Sequence, residues 1–472
     1  MRLAYICNRY PAISMTFVRR EVEGLRRLGV VVKTMSIRAP LKGDLLSAAD
    51  REAAESTYSV LPAKPPELLR AHAQAALRHP LSYLRTLAFS LSLSSGGGRA
   101  MLWRTFYFVE AIAVWDRCRR ERIRHVHSHF ANVATDVAML CVEFADRPGE
   151  RWSWSFTLHG PVEFYDVYRS QLSVKIARAR FVICISDFAR SQAMAWSGQE
   201  QWEKLHVVHC GLDPASWLAS AGARGAADTA EAPSGGAVEH AAGEGRSGLR
   251  VLCVGRLIAL KGHAVLIEAV ARLREQGLEV SAVLVGDGDA RGSLEALARE
   301  LRIIDSIEFA GSIGQDRIHE FFARAEVFCL PSFAEGVPVV LMEAMAMELA
   351  VLSTRIMGIP ELVEDERSGL LVAPGRPDEL ALRLRRLADS PELRRRLGVA
   401  GREKVLAEYD IAGSAASIQG LLRRYGVAAG APRAASALES TSPMPPASVA
   451  EAGRSLALQN AGPPPGSEGT EV

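Results

Sequence analysis

The chain has 472 residues, a formal net charge of +2, and a composition that is 48% hydrophobic and 23% charged. These values indicate a globular protein of two domains, and the near-neutral charge excludes a strongly basic nucleic-acid-binding protein. The cysteines number seven, without a C-x-x-C pair, which favours a reducing cytosol over a disulfide-bonded secreted protein. The N-terminus predicts a strand rather than a signal peptide, and no uncharged apolar run is long enough to predict a membrane span.

Short apolar runs alternate with helix-like segments, which predicts parallel sheets covered by helices. In the first half, strands are predicted near residues 3–7, 30–37, 126–128, 155–158, 181–185 and 205–209. In the second half, they are predicted near residues 250–254, 280–285, 307–309, 327–330 and 351–353. The predicted fold class is therefore α/β, with two doubly wound Rossmann-like domains facing a cleft. Such sheets bind ligands beyond the carboxyl ends of their strands.

Changes in composition mark the predicted domain boundaries. Residues 219–247 are rich in Gly, Ala and polar residues, which predicts a flexible linker. Residues 428–472 are rich in Ala, Pro, Ser and Gly, which predicts a disordered tail. We therefore predict an N-terminal domain of residues 1–213 and a C-terminal domain of residues 248–404.

Histidines follow or end two predicted strands of the first half. The segment TLHGPVEFYD places His159 at the cleft end of a strand, where a structural and a functional role are both open. The segment RHVHSHFA places His125, His127 and His129 at alternate positions on one strand face. No cysteine or acidic cluster completes a ligand set, so we predict no metal site. In ICISDFARSQ, Asp187 is predicted to cap a helix that begins at the next residue, with a place in the cleft as the alternative.

The segment FAEGVPVVLMEAMA holds Glu335 and Glu343, eight residues apart in apolar surroundings. Carboxylates are rarely buried without partners, so this spacing favours a binding site. The alternative is that Glu335 is a solvated loop acid and Glu343 pairs with a nearby arginine. Pro338 suits the first position of a helix, which leaves Glu335 in the preceding loop. The amides of Val339 and Val340 would then favour an anion such as a phosphate. The carboxylates suit the hydroxyl groups of a sugar and a ribose.

Two further loops of the second half carry polar or glycine signals. VLCVGRLIALKG places Arg256 and Lys261 after a strand, where two cations can neutralise a diphosphate or can equally be a solvated loop pair. VGDGDARG places Gly286 and Gly288 after another strand, in a tight turn near a nucleoside. This loop lacks the glycine spacing of a dinucleotide fingerprint, which argues against a nicotinamide oxidoreductase.

Together, CLPSFAEG, EGVPVVLME, VGRLIALKG, VGDGD and GIPELVEDERSGLLV resemble the retaining glycosyltransferases of family 4, which have the GT-B fold. The resemblance covers most of residues 1–425. It implies that a helix at about residues 405–427 crosses back to complete the first domain. It also implies that the donor is a UDP- or GDP-sugar and that no cofactor is needed.

The resemblance also implies a role for each site residue. Catalysis would involve Glu335 at the donor-sugar hydroxyls, Arg256 and Lys261 at the diphosphate, and His159 at the donor sugar or the acceptor hydroxyl. The remaining donor contacts would be Glu343 at the ribose, the backbone of Gly336, Val337, Val339 and Val340 at the diphosphate, Gly286 near the nucleoside, and Ser312 and Ile313 near the base.

The start, NRYPAISMTFVRREVE, resembles the form found in exopolysaccharide enzymes of the colanic-acid type. In that form Ser14 and Thr16 would approach the phosphates, although Ser14 as a helix cap is an equal alternative. We group both with His129 as acceptor-side candidates. The resemblance predicts a glycan or lipid-linked glycan acceptor and a role in exopolysaccharide or cell-surface glycan synthesis.

Residues 68–124 carry aromatic residues and leucines interrupted by arginines. Such a surface can lie on anionic lipid, and it can equally be a set of covering helices with a solvated basic face. The first interpretation places the enzyme in the cytoplasm, at the inner face of the cell membrane. Two alternatives to retaining transfer remain: an inverting GT-B transferase with His159 as base, and a non-catalytic nucleotide-sugar-binding protein.

Overall fold

The computed structural model describes residues 1–94, 96–213, 217 and 248–427. Within these residues the chain forms two parallel sheets, one in each half. The predicted linker of residues 219–247 and the predicted tail of residues 428–472 lie outside the described part. No described helix is long and apolar enough to cross a membrane.

The first sheet has seven described strands in the order β3-β2-β1-β4-β5-β6-β7. Its strands are β1 (Arg2–Arg9), β2 (Val31–Arg38), β3 (Tyr58–Leu61), β4 (His125–His129), β5 (Ser153–Leu158), β6 (Val182–Cys184) and β7 (Leu205–Val207). The central strands β1, β4, β5 and β6 are nearly continuous buried runs, as expected where helices cover both faces of a parallel sheet. The sequence did not predict β3, a short edge strand.

Ten described helices accompany the first sheet. They are α1 (Thr16–Arg27), α2 (Ala48–Ser56), α3 (Pro65–Arg78), α4 (Pro80–Ser92), α5 (Gly98–Arg120), α6 (Val133–Ala145), α7 (Val162–Tyr165), α8 (Val167–Ser170), α9 (Leu172–Arg178) and α10 (Asp187–Ala195). Helices α5 and α6 pack on one face of the sheet, and α1 packs on the other.

The second sheet has six described strands in the order β10-β9-β8-β11-β12-β13. Its strands are β8 (Leu249–Val254), β9 (Val280–Val285), β10 (Ile307–Gly311), β11 (Val327–Leu330), β12 (Ala350–Thr354) and β13 (Leu370–Val372). The sequence did not predict β13, which has three residues. Because β8 and β11 are neighbours in the sheet, the loops at their carboxyl ends are adjacent.

The helices of the second half include one that returns to the first sheet. They are α11 (His263–Glu275), α12 (Arg291–Glu300), α13 (Ile318–Arg324), α14 (Val339–Ala346), α15 (Ile359–Leu362), α16 (Pro377–Asp389), α17 (Pro391–Glu408) and α18 (Ile411–Arg424). Helix α18 packs on α1, and its Ala415, Ile418 and Leu422 belong to the same buried cluster as strand β1. The predicted crossover helix is therefore present.

Candidate active site

The turn after β11 holds Glu335 in contact with a cation. Oε1 of Glu335 lies 2.5 Å from Nζ of Lys261 and accepts a hydrogen bond from the Ser332 hydroxyl at 2.7 Å. Ser332 is itself fixed, because its carbonyl accepts a hydrogen bond from the Thr354 hydroxyl. The carboxylate is 8% exposed, so it is a paired, nearly buried charge at the carboxyl end of the sheet.

Lys261 and Arg256 lie on the loop after β8, and they differ in their surroundings. Lys261 forms an ion pair with Glu335. Arg256 is exposed and has no ion-pair partner among the residues that the structure covers. The loop packs closely on the turn after β9. A Cβ at Gly286 would lie 2.0 Å from the carbonyl oxygen of Gly255, so only glycine fits there.

Helix α14 begins at Val339, so its first amides are those of Val339 and Val340. Pro338 is the N-cap residue rather than the first helical residue, because its ψ of 120° is extended. Val337 precedes it and is buried. No described side chain caps the helix, so its first amides carry the positive end of the helix dipole without a capping partner.

Glu343 lies further along α14 and is 1% exposed. Its Oε1 is 2.7 Å from Nη2 of Arg20, which comes from α1 in the first domain. The same Nη2 donates to Oε1 of Gln315 at 3.0 Å. Burial raises the pKa of Glu343, and the Arg20 charge opposes that rise. Gln315 follows Ser312 and Ile313, the residues predicted to meet the base, in the loop after β10.

The two domains touch at His159. A Cβ at Gly336 would lie 1.9 Å from the carbonyl oxygen of His159, so the backbones of the two loops are in close contact. A second link is made by Glu361, whose carboxylate accepts hydrogen bonds from the amides of Asp187 and Phe188 at 2.8 Å. The cleft is therefore closed at this end.

His159 is buried, and both of its ring nitrogens face protein groups. Its Nε2 is 2.8 Å from Nδ1 of His129, and its Nδ1 is 3.7 Å from the Cys210 sulfur. Phe17 and Phe130 pack against the ring. Burial lowers the pKa of His159 well below its usual value, and His129 adds to the lowering. The side chain is thus a neutral imidazole held by its neighbours.

His129 lies between His159 and an acid on α1, and its Nε2 has no hydrogen-bond partner among the described residues. Its Nε2 lies 3.7 Å from Oε1 of Glu21, which also accepts a hydrogen bond from the Tyr5 hydroxyl at 2.6 Å. Burial lowers the pKa of His129 to about 3. Burial raises the pKa of Glu21 to about 7, and the Tyr5 hydrogen bond opposes that rise. His129 is fully buried, so it does not line the cleft surface directly.

The alternate histidines of β4 are hydrogen-bonded to hydroxyl groups of β5. The nitrogens of His125 contact Ser153 and Ser155, and those of His127 contact Ser155 and Thr157. Glu21, His127 and His129 each offer a ligand atom within 4.8 Å of the others. Both ring nitrogens of His125 and His127 have hydroxyl partners, whereas Nε2 of His129 has no hydrogen-bond partner among the described residues. The absence of a metal site stays a prediction.

Three first-half predictions concern helix starts. Thr16 is the first residue of α1 and is partly exposed, and Ser14 lies in the preceding 3-10 turn of residues 13–15, its side chain outside the described part. The prediction that Asp187 caps its helix is wrong. Helix α10 begins at Asp187, and the Ser186 hydroxyl caps it by accepting from the amide of Ala189.

Sequence reasoning missed Arg20, Glu21 and Glu361. The helical pattern of VRREVEGLRRLG predicts α1, but many exposed arginines show the same signal. Arg20 and Glu343 are 323 positions apart, so only the packing of the two domains brings them together.

Comparison with known proteins finds sequence similarity over part of the chain. Residues 243–404 match the family described as glycosyl transferases, group 1. The chain is 33% identical over 177 residues to an alpha-D-kanosaminyltransferase from Streptomyces kanamyceticus, covering 38% of this chain and 46% of that protein. It is 36% identical over 168 residues to the amylovoran biosynthesis glycosyltransferase AmsK from Erwinia amylovora, covering 34% and 41%. A putative colanic acid biosynthesis glycosyltransferase, WcaL from Escherichia coli, is 39% identical over 142 residues, covering 29% and 35%. The matches thus span less than half the length of these curated relatives.

Solved structures match over a larger share of the chain. Sucrose-phosphate synthase from Thermosynechococcus elongatus has a TM-score of 0.65 and 21% identity, covering 90% of this chain and 98% of that one. HepE from Anabaena, in complex with UDP and glucose, has a TM-score of 0.65 and 17% identity, covering 90% and 100%. The chain therefore has the GT-B fold, and residues 243–404 are similar in sequence to the group 1 glycosyl transferases.

Proposed function

We propose that the protein is a glycosyltransferase that moves a sugar from a UDP- or GDP-sugar to an acceptor hydroxyl with retained configuration. The observation that carries this proposal is the Lys261–Glu335 ion pair at the carboxyl ends of two neighbouring strands. An acid for sugar hydroxyls and a cation for a diphosphate are thereby placed side by side. The similarity to group 1 glycosyl transferases supports the same activity.

The proposed mechanism is electrostatic. The departing diphosphate gains negative charge as the bond to the sugar breaks. Arg256, Lys261 and the first amides of α14, with the Gly336 and Val337 backbone leading into them, stabilise that charge in a preorganised site. The leaving phosphate oxygen takes the proton of the acceptor hydroxyl on the same face of the sugar, and the hydroxyl oxygen forms the new bond.

Glu335 would hold hydroxyls of the donor sugar, since its Oε2 is not bonded to Lys261 or Ser332. Glu343 would hold the ribose. The turn at Gly286 and the backbone of Ser312 and Ile313 would surround the nucleoside. We propose that the reaction requires neither a metal ion nor another cofactor, because the two cations supply the positive charge.

Inverting transfer with His159 as general base is less favoured by the geometry. A base needs a nitrogen directed at the acceptor hydroxyl, whereas the ring nitrogens of His159 face His129 and Cys210. His159 stays a proposed contact of the donor sugar or the acceptor, and a contact through its ring would require a nitrogen to leave His129 or Cys210. A non-catalytic nucleotide-sugar-binding protein would keep the same pocket, and turnover distinguishes it.

For the acceptor, we propose a glycan or lipid-linked glycan used in exopolysaccharide or cell-surface glycan synthesis. The similarity of part of the chain to AmsK and WcaL supports this class. Thr16 and Ser14, at the start of α1, remain candidates on the acceptor side.

Large apolar side chains exposed on the α4–α5 hairpin support docking on a membrane; they are Leu81, Leu84, Met101, Leu102, Trp103 and Phe106. The seven cysteines are free and buried, which is typical of a reducing compartment such as the cytoplasm. Together with the exposed hairpin, this leads us to place the protein at the inner face of the cell membrane.

A panel of UDP- and GDP-sugars tests the proposal. A cognate donor should raise the thermal unfolding midpoint and should be slowly hydrolysed by the full-length chain. With an acceptor identified, NMR of the product anomer should show retention. Inverted product would overturn the retaining mechanism, and binding without hydrolysis or transfer would favour a non-catalytic protein.

A further inference from the structure

Arg20 reaches from the first domain into the second. Its Nη2 donates to Oε1 of Glu343 at 2.7 Å and to Oε1 of Gln315 at 3.0 Å. Arg20 is 9% exposed, and Glu343 is 1% exposed. The guanidinium is therefore removed from solvent and held by two groups of the opposite domain.

The other terminal nitrogen of Arg20 is unsatisfied. Its Nη1 is buried and has no hydrogen-bond acceptor among the described residues. Buried donors without an acceptor are rare in folded proteins, and each one calls for an explanation. Glu343 is in a matching position, since Oε1 binds Arg20 while Oε2 accepts from no described group. The pair thus offers one unused donor and one unused acceptor.

The partners of Arg20 flank the proposed nucleotide site on two sides. Glu343 is the residue proposed for the ribose, and Gln315 lies two positions after Ile313 in the loop proposed for the base. A guanidinium between these groups is placed to meet an anion, and its planar fork can serve two acceptors at once.

We propose that Arg20 is a nucleotide-binding residue: Nη1 donates to an oxygen of a bound nucleoside diphosphate while Nη2 orients Glu343 toward the ribose. This inference rests on the proposed function, since it assigns a further contact in the same site. It also means that a bound nucleotide contacts both domains. A nucleotide held by Arg20 and by the second domain is bound fully only when the cleft is closed.

Isothermal titration of UDP and GDP into the full-length chain tests the inference. Arg20→Met removes the charge and the fork, and Arg20→Lys keeps a cation that cannot bond three acceptors in the plane of a fork. We expect Arg20→Met to weaken the Kd of the preferred nucleotide by about tenfold or more, and Arg20→Lys to weaken it by a smaller factor.

Arg104→Met is the matched control, because Arg104 is similarly buried and pairs with Asp136 at 2.8 Å in the first domain. It should cost stability without changing the Kd. Gln315→Ala tests the position of Arg20 indirectly and should weaken binding by a few-fold. If Arg20→Met does not fold, the Arg20→Lys and Gln315→Ala variants decide the question.

The outcomes separate the two proposals. If the wild-type chain binds neither nucleotide nor any nucleotide sugar, the proposed function is wrong and this inference falls with it. If the wild-type chain binds and the Arg20 variants bind equally well, Arg20 only fastens the domains together and this inference alone is wrong. An equal loss of affinity in Arg104→Met would also overturn it, since the loss would then follow from stability.

Discussion

The ammonium group of Lys261 lies 2.5 Å from a carboxylate oxygen of Glu335, although the two residues come from different loops of the second domain. The pair forms because β8 and β11 are adjacent and parallel, so the loops that follow them leave the sheet at the same edge. Each charge is largely removed from solvent, which strengthens the attraction and makes either partner costly to leave alone.

We predict that Glu335→Gln and Lys261→Ala each reduce turnover by about 100-fold or more while the fold is retained. In the proposed mechanism, Glu335→Gln removes the charge that accepts from the sugar hydroxyls, and Lys261→Ala removes positive charge beside the leaving diphosphate. Donor hydrolysis and circular dichroism measure the two effects. The matched control is Lys404→Ala, which breaks an ion pair with Glu364 elsewhere in the structure. Rates near wild type in the two site variants would contradict the assignment.

Arg256 leads to a different prediction, because it is exposed and has no ion-pair partner among the described residues. Arg256→Met should lower kcat/KM for the donor by about 10- to 100-fold without lowering the unfolding temperature. The control is Arg272→Met, at an exposed position on α11. Equal activity of the two variants would exclude Arg256 from the diphosphate site.

How far the sequence predicts this site depends on how local each signal is. Glu335 and Glu343 are predictable because one strand, turn and helix fix both of them. The positions of Arg256 and Lys261 are likewise predictable, because both residues lie on one loop. The pairing of Lys261 with Glu335 required the order of strands in the sheet, which a single sequence does not determine.

Other features required contacts between distant segments. The sequence does not distinguish Arg20 from the other arginines of α1, because its contact with Glu343 depends on how the second domain packs against α1. The ring of His159 is at the expected strand end, but its contacts depend on His129 of β4 and on Cys210, which follows β7. Strands β3 and β13 were missed because each has only three or four residues, too few for a clear alternating pattern.

The contact between Gly336 and His159 predicts that cleft closure depends on the absence of a side chain at position 336. Gly336→Ala would place a Cβ 1.9 Å from the His159 carbonyl oxygen, so the two loops would have to separate. We expect a larger radius of gyration in small-angle scattering and a large loss of transfer. Gly292→Ala is the control, because a Cβ at Gly292 on α12 meets nothing within 4 Å. An unchanged radius together with full activity would show that closure does not need this contact.

The buried histidines predict how stability depends on pH. Burial is the main cause that lowers the pKa of His125 and His129 to about 3, and of His127 and His159 well below the usual value. Between about pH 6.5 and 3, the unfolded chain therefore binds protons that the folded chain does not. Each such histidine removes up to about 1.4 kcal/mol of stability per pH unit as the pH falls.

Buried carboxyl groups act in the opposite direction over part of this range. Burial raises the pKa of Glu21, Glu110 and Glu163 to about 7. From about pH 7 to 4.3 the folded chain therefore binds the additional protons, which offsets the histidines. We expect stability to vary little between about pH 6.5 and 4.5 and to fall steeply below it.

Urea unfolding at a series of pH values measures this profile. His125→Gln removes one buried histidine away from the cleft. Below about pH 4.3, the slope of the free energy of unfolding against pH should therefore decrease by about 1.4 kcal/mol per pH unit. His319→Gln, at a partly exposed position on α13, is the control for replacing a histidine outside the buried set. An unchanged slope in His125→Gln would mean that this histidine does not govern acid unfolding.

The exposed apolar residues of the α4–α5 hairpin predict binding to anionic membranes. Leu81 is 82% exposed, and Leu102 and Trp103 are exposed at the start of α5. Residues 68–124 contain ten arginines and three acidic residues, so the apolar side chains lie on a basic segment. We expect the full-length chain to sediment with vesicles containing phosphatidylserine, and less so as salt increases.

The double substitution Leu102→Ser/Trp103→Ser should reduce this binding by about tenfold or more, since each buried apolar side chain contributes about 1.5–3 kcal/mol. Leu382→Ser is the control, because Leu382 is similarly exposed but lies on α16 of the second domain. Transfer to a soluble acceptor should be unaffected by the double substitution, whereas transfer to a vesicle-bound acceptor should fall. Binding that is insensitive to salt, or equal loss in the Leu382 variant, would contradict a specific docking surface on the hairpin.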